Sequence, residues 1–235
     1  MEVSPTARRA AAEFVGTAFL VIAVVGSGIM ASRLSPADSG LALLENSLAT
    51  GAALVALIVA LQPVSASFNP VVTLVEKALG LVDWRTAGAL VAAQLLGGLA
   101  GTVLANLMFG LNAVSVSGHE RSGPGLWLGE VIATVGLLLV VFGTVRSGRA
   151  DRVAFAVGGY IAAAYWFTSS TSFANPAVTI ARTVTDTFAG IAPASAPGFV
   201  LAQLVGGALG LLLVRFLYPS ITTRAAEAAD REVLS

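Results

Sequence analysis

Cysteine is absent from the 235 residues, so no disulfide, thiolate nucleophile or cysteine metal site can form. Histidine occurs once. His119 lies in a polar loop beside Glu120 and Arg121, and without a second imidazole it offers a metal no site. Charge is scarce too: Asp, Glu, Lys and Arg make up 11% of the chain, and 13 basic residues balance 13 acidic ones. There is no nucleophile–base pair, no cluster of metal ligands and no phosphate loop. These absences predict a protein that is not an enzyme, carries no metal or cofactor and binds no nucleic acid. Segments that alternate apolar and polar residues are missing as well, which excludes a transmembrane β-barrel.

What is present is apolar. Hydrophobic residues make up 56% of the chain and mean hydropathy is +0.86, outside the range of ordinary soluble domains. About 20 apolar residues suffice to cross a bilayer of about 30 Å. Six segments reach that length, near residues 11–32, 44–63, 86–109, 127–145, 153–170 and 197–218. The first is too long for a signal h-region and reads as a span that is kept. The chain is therefore expected to be an all-α polytopic membrane protein. Trp84 and Trp127 sit at span ends as interfacial anchors. The tail from Thr222 is charged and Ala-rich, either a short helix or a disordered end.

Two short stretches stand apart, Ser67-Phe68-Asn69-Pro70-Val71 and Ser172-Phe173-Ala174-Asn175-Pro176-Ala177. Asn is a preferred N-cap and Pro fits the first helical position, so each stretch reads as a helix start. Both lie inside apolar sequence. The runs that follow, Val71 to Leu79 and Val178 to Phe188, are too brief to span and read as re-entrant half-helices. Broken backbone at membrane depth is tolerated only where it is buried or lines a wet cavity.

The halves of the chain repeat. Glu13-Phe-Val-Gly-Thr17 matches Glu130-Val-Ile-Ala-Thr134, the Asn-Pro boxes match, and Ala93-Gln94-Leu95-Leu96-Gly97-Gly98 matches Ala202-Gln203-Leu204-Val205-Gly206-Gly207. Three spans per repeat force the halves into opposite orientations, with a site between them at the midplane. One domain over residues 1–235 is expected, with repeats at about 8–110 and 127–220. With the N-terminus inside, ten of the thirteen Lys and Arg residues fall on the cytoplasmic side; Arg33, Arg121 and Arg182 are left outside. Gly97, Gly98, Gly101, Gly206, Gly207 and Gly210 are read as packing positions.

Paired Asn-Pro-Ala boxes one half-chain apart resemble the aquaporin, or major intrinsic protein, family, with the first box altered to Asn-Pro-Val. The resemblance implies six transmembrane helices plus two half-helices, a homotetramer in the lipid bilayer and one pore per protomer. It places Asn69, Pro70, Val71, Asn175, Pro176 and Ala177 at the pore midplane. The Asn side-chain oxygens cap the helices, leaving both NH₂ groups to donate into the lumen. Converging positive helix ends oppose cations there.

In most aquaporins Arg directly follows the second box, but here that position is Val178. The repeat alignment puts the other constriction positions at Thr50, Ala163 and Ser172, so the filter is expected to be wide and uncharged. The altered box and the Val resemble bacterial homologues associated with arsenic handling. Water, glycerol-like polyols, urea and the undissociated acids of As(III) and Sb(III) are the expected cargoes, across a bacterial-type cytoplasmic membrane with both termini inside. Arg182 lies four residues beyond Val178, about 6 Å nearer the outer mouth. It either faces the pore or pairs with Asp186 on the helix surface. Glu13 and Glu130 are intramembrane carboxylates. A scaffold role, accepting bonds from the loops before the half-helices, suits their symmetry, as helix–helix hydrogen bonding suits Gln94 and Gln203. The alternatives are an ion- or proton-coupled transporter using Glu13 and Glu130, and a strict water channel.

Overall fold

The computed structural model describes residues 3–219, so the tail from Thr222 lies outside the described residues. Its helices are α1 (Pro5–Leu34), α2 (Ser39–Leu61), α3 (Pro70–Ala78), α4 (Trp84–Met108), α5 (Pro124–Arg146), α6 (Val153–Phe167), α7 (Pro176–Ala181) and α8 (Ala196–Leu217). No strand occurs among the described residues. The order long, long, short, long is repeated in each half.

Polar caps start several helices. Ser4 accepts from Ala7 N ahead of Pro5, and Asp38 accepts from Leu41 N. Asp83 accepts from the Thr86 N–H at 2.8 Å and from its hydroxyl at 3.1 Å. Five helices are long and apolar enough to cross a membrane: α1, α2, α4, α5 and α8. The sixth expected span is shorter than 153–170. Helix α6 has 15 residues, about 22 Å of rise against a core of about 30 Å. A 3₁₀ turn at Ala150–Arg152 lengthens it at one end. At the other, Thr168 turns to an extended conformation and the chain runs inward toward the second Asn-Pro box.

Glycines decide how closely the long helices cross. A Cβ on Gly97 would sit 2.3 Å from Phe14 O, and one on Gly101 would sit 2.3 Å from Ala18 O, so α4 lies directly on the backbone of α1. Gly206 does the same for α8 on α5, meeting Val131 O at 2.8 Å, and Gly210 makes room for the Leu138 side chain, with Cδ1 at 2.6 Å. The second glycine of each pair faces the opposite repeat. Gly98 makes room for Ala177 O and Ala181 Cβ of α7, and Gly207 for Val71 Cγ1 of α3. The packing reading holds, and it splits in two: one glycine brings helices of a repeat together, its neighbour seats the other repeat's half-helix.

Candidate functional site

The two boxes hold each other. Asn69 Oδ1 accepts from Val71 N at 2.9 Å, and Asn175 Oδ1 accepts from Ala177 N at 3.0 Å and Val178 N at 3.3 Å. Asn69 Nδ2 donates to Ala174 O, and Asn175 Nδ2 donates to Phe68 O, both at 2.7 Å. Phe68 and Ala174 each sit at φ +47, the left-handed region that L-residues adopt at a cost of roughly 1–2 kcal/mol. Each immediately precedes its Asn and offers its carbonyl to the Asn of the other repeat. The half-helices α3 and α7 therefore meet N-terminus to N-terminus. One hydrogen of each NH₂ group is committed to this bond, so the expectation that both groups are wholly free is corrected. A single N–H per Asn remains for the lumen.

Behind the boxes the carboxylates brace the loops. Glu13 Oε1 accepts from Ser65 Oγ at 2.5 Å and Ser67 N at 2.8 Å; Oε2 accepts from Phe68 N at 2.7 Å and Gln94 Nε2 at 2.8 Å. Glu130 accepts from Phe173 N at 2.9 Å, Ala174 N at 2.8 Å and Gln203 Nε2 at 2.6 Å. Gln94 and Gln203 also donate to Thr73 and Thr179 on the half-helices. Buried backbone N–H groups need acceptors, and these carboxylates supply them.

A cavity of about 390 Å³ runs past the boxes. Arg9, Gln62 and Glu76 line it near the N-terminal end of α1, and Thr50, Tyr165 and Arg182 line it toward the opposite face. Asn69 and Asn175 lie on its wall, as do Ser172 and Val178. Between the polar groups the wall is apolar, with Leu20, Val72 and Ile161 among its residues. Ser172 sits at φ +51, and its buried hydroxyl has no hydrogen-bond partner. Ala163 is not on the wall. It is on the exposed side of α6, whereas Val153, Val157, Ile161 and Tyr165, spaced by four, line the cavity. The Tyr165 hydroxyl lies 3.2 Å from Thr50 Oγ1, so the α6 contribution is a phenol and not a small side chain.

Arg182 faces the cavity and does not pair with Asp186. It is 4% exposed, its Nε donates to Ala189 O, and its guanidinium carbon lies 3.5 Å from the centroid of the Phe173 ring. Asp186 instead accepts from Gly118 N at 2.9 Å and faces His119 at 3.7 Å. The difference follows from where α7 stops. A helix to Phe188 was expected, but α7 has six residues and passes into a 3₁₀ turn at Arg182–Val184. Ser117 N bonds Thr183 O, and Ser115 N bonds Val184 O, so the connecting loop takes carbonyls that a longer helix would use. Without helix there, residues 182 and 186 share no face.

Tyr165 and Glu76 escaped the sequence reading. The four-residue spacing on α6 was a signal for the first. For the second, Glu76 follows Asn69 by the same seven positions that separate Arg182 from Asn175.

Long helices in two like sets, with two half-helices meeting head to head on a lined cavity, define a membrane channel of the inverted-repeat type. The chain belongs to the major intrinsic protein family, whose pattern matches residues 1–153 and again 131–233. Members of this family are multi-pass membrane channels, not enzymes. The chain is 51% identical over 211 residues to aquaglyceroporin AqpS of Rhizobium meliloti, covering 89% of this chain and 90% of that one. It is 30% identical over 227 residues to the lens fiber major intrinsic protein of Canis lupus familiaris, covering 88% and 79%. The fold resembles the aquaglyceroporin of Plasmodium falciparum with a TM-score of 0.72 at 20% identity, covering 92% of this chain and 98% of that one.

Proposed function

We propose that this protein is a passive pore for water and small neutral solutes, with glycerol-like polyols, urea and the undissociated As(III) and Sb(III) acids as cargoes. The observation that carries this reading is the cavity from Arg9 to Arg182, apolar between sparse polar stations and passing the paired Asn amides. A neutral hydroxylated molecule can trade water for those stations in turn. A cation meets two positive helix ends at the midplane. The coupled-transporter alternative is disfavoured, because Glu13 and Glu130 are both held by backbone N–H donors.

The filter consists of Thr50, Ser172 and Val178 together with Tyr165 and Arg182. Val178 leaves space where a guanidinium would otherwise stand, and Arg182 brings one in from the next turn. The pore unit is the single domain 1–235, with repeats at about 8–110 and 127–220. By family resemblance the unit assembles as a homotetramer. The distribution of Lys and Arg supports a cytoplasmic membrane with both termini inside.

Stopped-flow light scattering on proteoliposomes, with water, glycerol, urea and arsenite gradients in turn, tests the reading. Flux of the neutral solutes down their own gradients is expected without any ion gradient. A requirement for a proton or sodium gradient would overturn it.

A further inference from the structure

The half-helices carry opposite charges at equivalent positions. Glu76 follows Asn69 by seven residues and Arg182 follows Asn175 by seven, and both line the cavity, one toward each end. A head-to-head arrangement of α3 and α7 sends these two positions to opposite mouths. At the Glu76 mouth the Ser67 hydroxyl donates to Glu76 Oε2 at 3.1 Å. Glu76 Oε1 has no protein donor among the described residues. Arg9 lines the same mouth from α1, and among the described residues its guanidinium makes no hydrogen bond and no ion pair. Gln62 adds an amide from the end of α2, and Val64, Val145 and Val153 supply the apolar remainder.

We infer that this mouth is a second solute-recognition station, in which Glu76 accepts hydrogen bonds from a neutral polyol or urea while Arg9 donates to it. This rests on the channel reading above and names where the same solutes are sorted a second time. The chemistry follows from what stands unpaired. A carboxyl oxygen and a guanidinium line one mouth without a direct bond between them, and both kinds of group are needed by a molecule that carries both hydroxyl or amide hydrogens and oxygen lone pairs. A polyol entering an apolar lumen sheds several water contacts at once, and each buried polar group left without a partner is costly. A single water sheds fewer. The station therefore favours the larger hydroxylated solute more than it favours water. The opposite mouth, with Arg182, Tyr165 and the unpartnered Ser172 hydroxyl, is richer in donors, so the two stations grip opposite polarities of the same molecule.

The test compares glycerol, urea and water permeability in the same proteoliposome batches for wild type, Glu76→Ala and Glu76→Gln. Loss of the carboxyl acceptor is expected to lower glycerol and urea permeability roughly threefold or more in Glu76→Ala. Water permeability, which also reports that the pore is assembled, is expected to hold. Glu76→Gln keeps one acceptor oxygen and is expected to recover most of the solute flux. If Glu76→Ala does not assemble, Arg9→Ala takes its place with the same selective loss expected. Equal loss of water and solute, or no change in either, would overturn the proposal. A wild-type protein that passes water but no polyol or urea would instead overturn the solute-channel reading on which it stands.

Discussion

Ala163 and Tyr165 are two residues apart, which on a helix is about 200° of rotation. That separation puts a phenol on the cavity wall where a small side chain was expected, and it arises because the α6 position was carried across repeats whose loops differ in length. The boxes, the carboxylates and the glutamines matched between halves at offsets of 106, 117 and 109 residues, so no single offset could fix a position between them. Of the four expected filter positions, Ser172 and Val178, which lie close to a box, and Thr50 are on the cavity wall, whereas Ala163 is not. Arg182 carries the sharpest prediction at this scale. Arg182→Ala should raise permeability to the bulkiest neutral solutes relative to water in a solute-size series, because it removes a guanidinium stacked on Phe173 at the cavity wall. Asp186→Ala, which touches only the surface loop, should leave the size series unchanged. Glu13 carries another. Glu13→Gln would turn an NH₂ toward donors that now meet a carboxylate oxygen, at a cost of about 1–3 kcal/mol for each donor left without an acceptor. Thermal denaturation of the purified protein in detergent should show the fall, while flux per folded channel should stay near that of wild type.

Helix existence was legible throughout, because apolar run length and the Asn-Pro signature are local properties. Helix ends were not. The stop of α7 depends on Ser115 and Ser117, which lie more than 60 residues earlier in the chain and reach it only in the fold. Close crossing is set by glycine, and Gly101→Leu should drive a side chain into Ala18 O, at the overpacking cost of about 1–3 kcal/mol or more. Loss of assembled protein on size-exclusion chromatography would report it. The α4 cap gives a pH-dependent prediction. The Thr86 N–H and then its hydroxyl hold the exposed Asp83 carboxyl below its ordinary value. A folded value below the unfolded one means that the stabilisation is present above the unfolded pKa and is lost as pH falls through the folded value. Asp83→Asn keeps a capping oxygen but cannot titrate, so its melting temperature should change less than that of wild type when pH is taken from neutral to below the carboxylate range.

At the scale of the whole molecule, the six spans and their inverted repetition could be read directly from the chain, since membrane-spanning structure leaves few alternatives to helices. What could not be read is that Glu76 and Arg182 line opposite ends of one cavity, because Glu76 looks like one solvated residue of a short amphipathic run until α3 is turned against α7. The cross-bonds between the boxes have a consequence for biogenesis. Asn69 finds its acceptor on Ala174 and Asn175 finds its acceptor on Phe68. While the second half is still on the ribosome, the first half therefore holds an Asn69 amide and a Phe68 carbonyl whose partners have yet to be made. Closure of the midplane is a late event that joins two half-built inserts, and the contacts that form it are shared equally between them. Residues 1–117 and 118–235, expressed as separate chains, should then recover water flux together and show none apart.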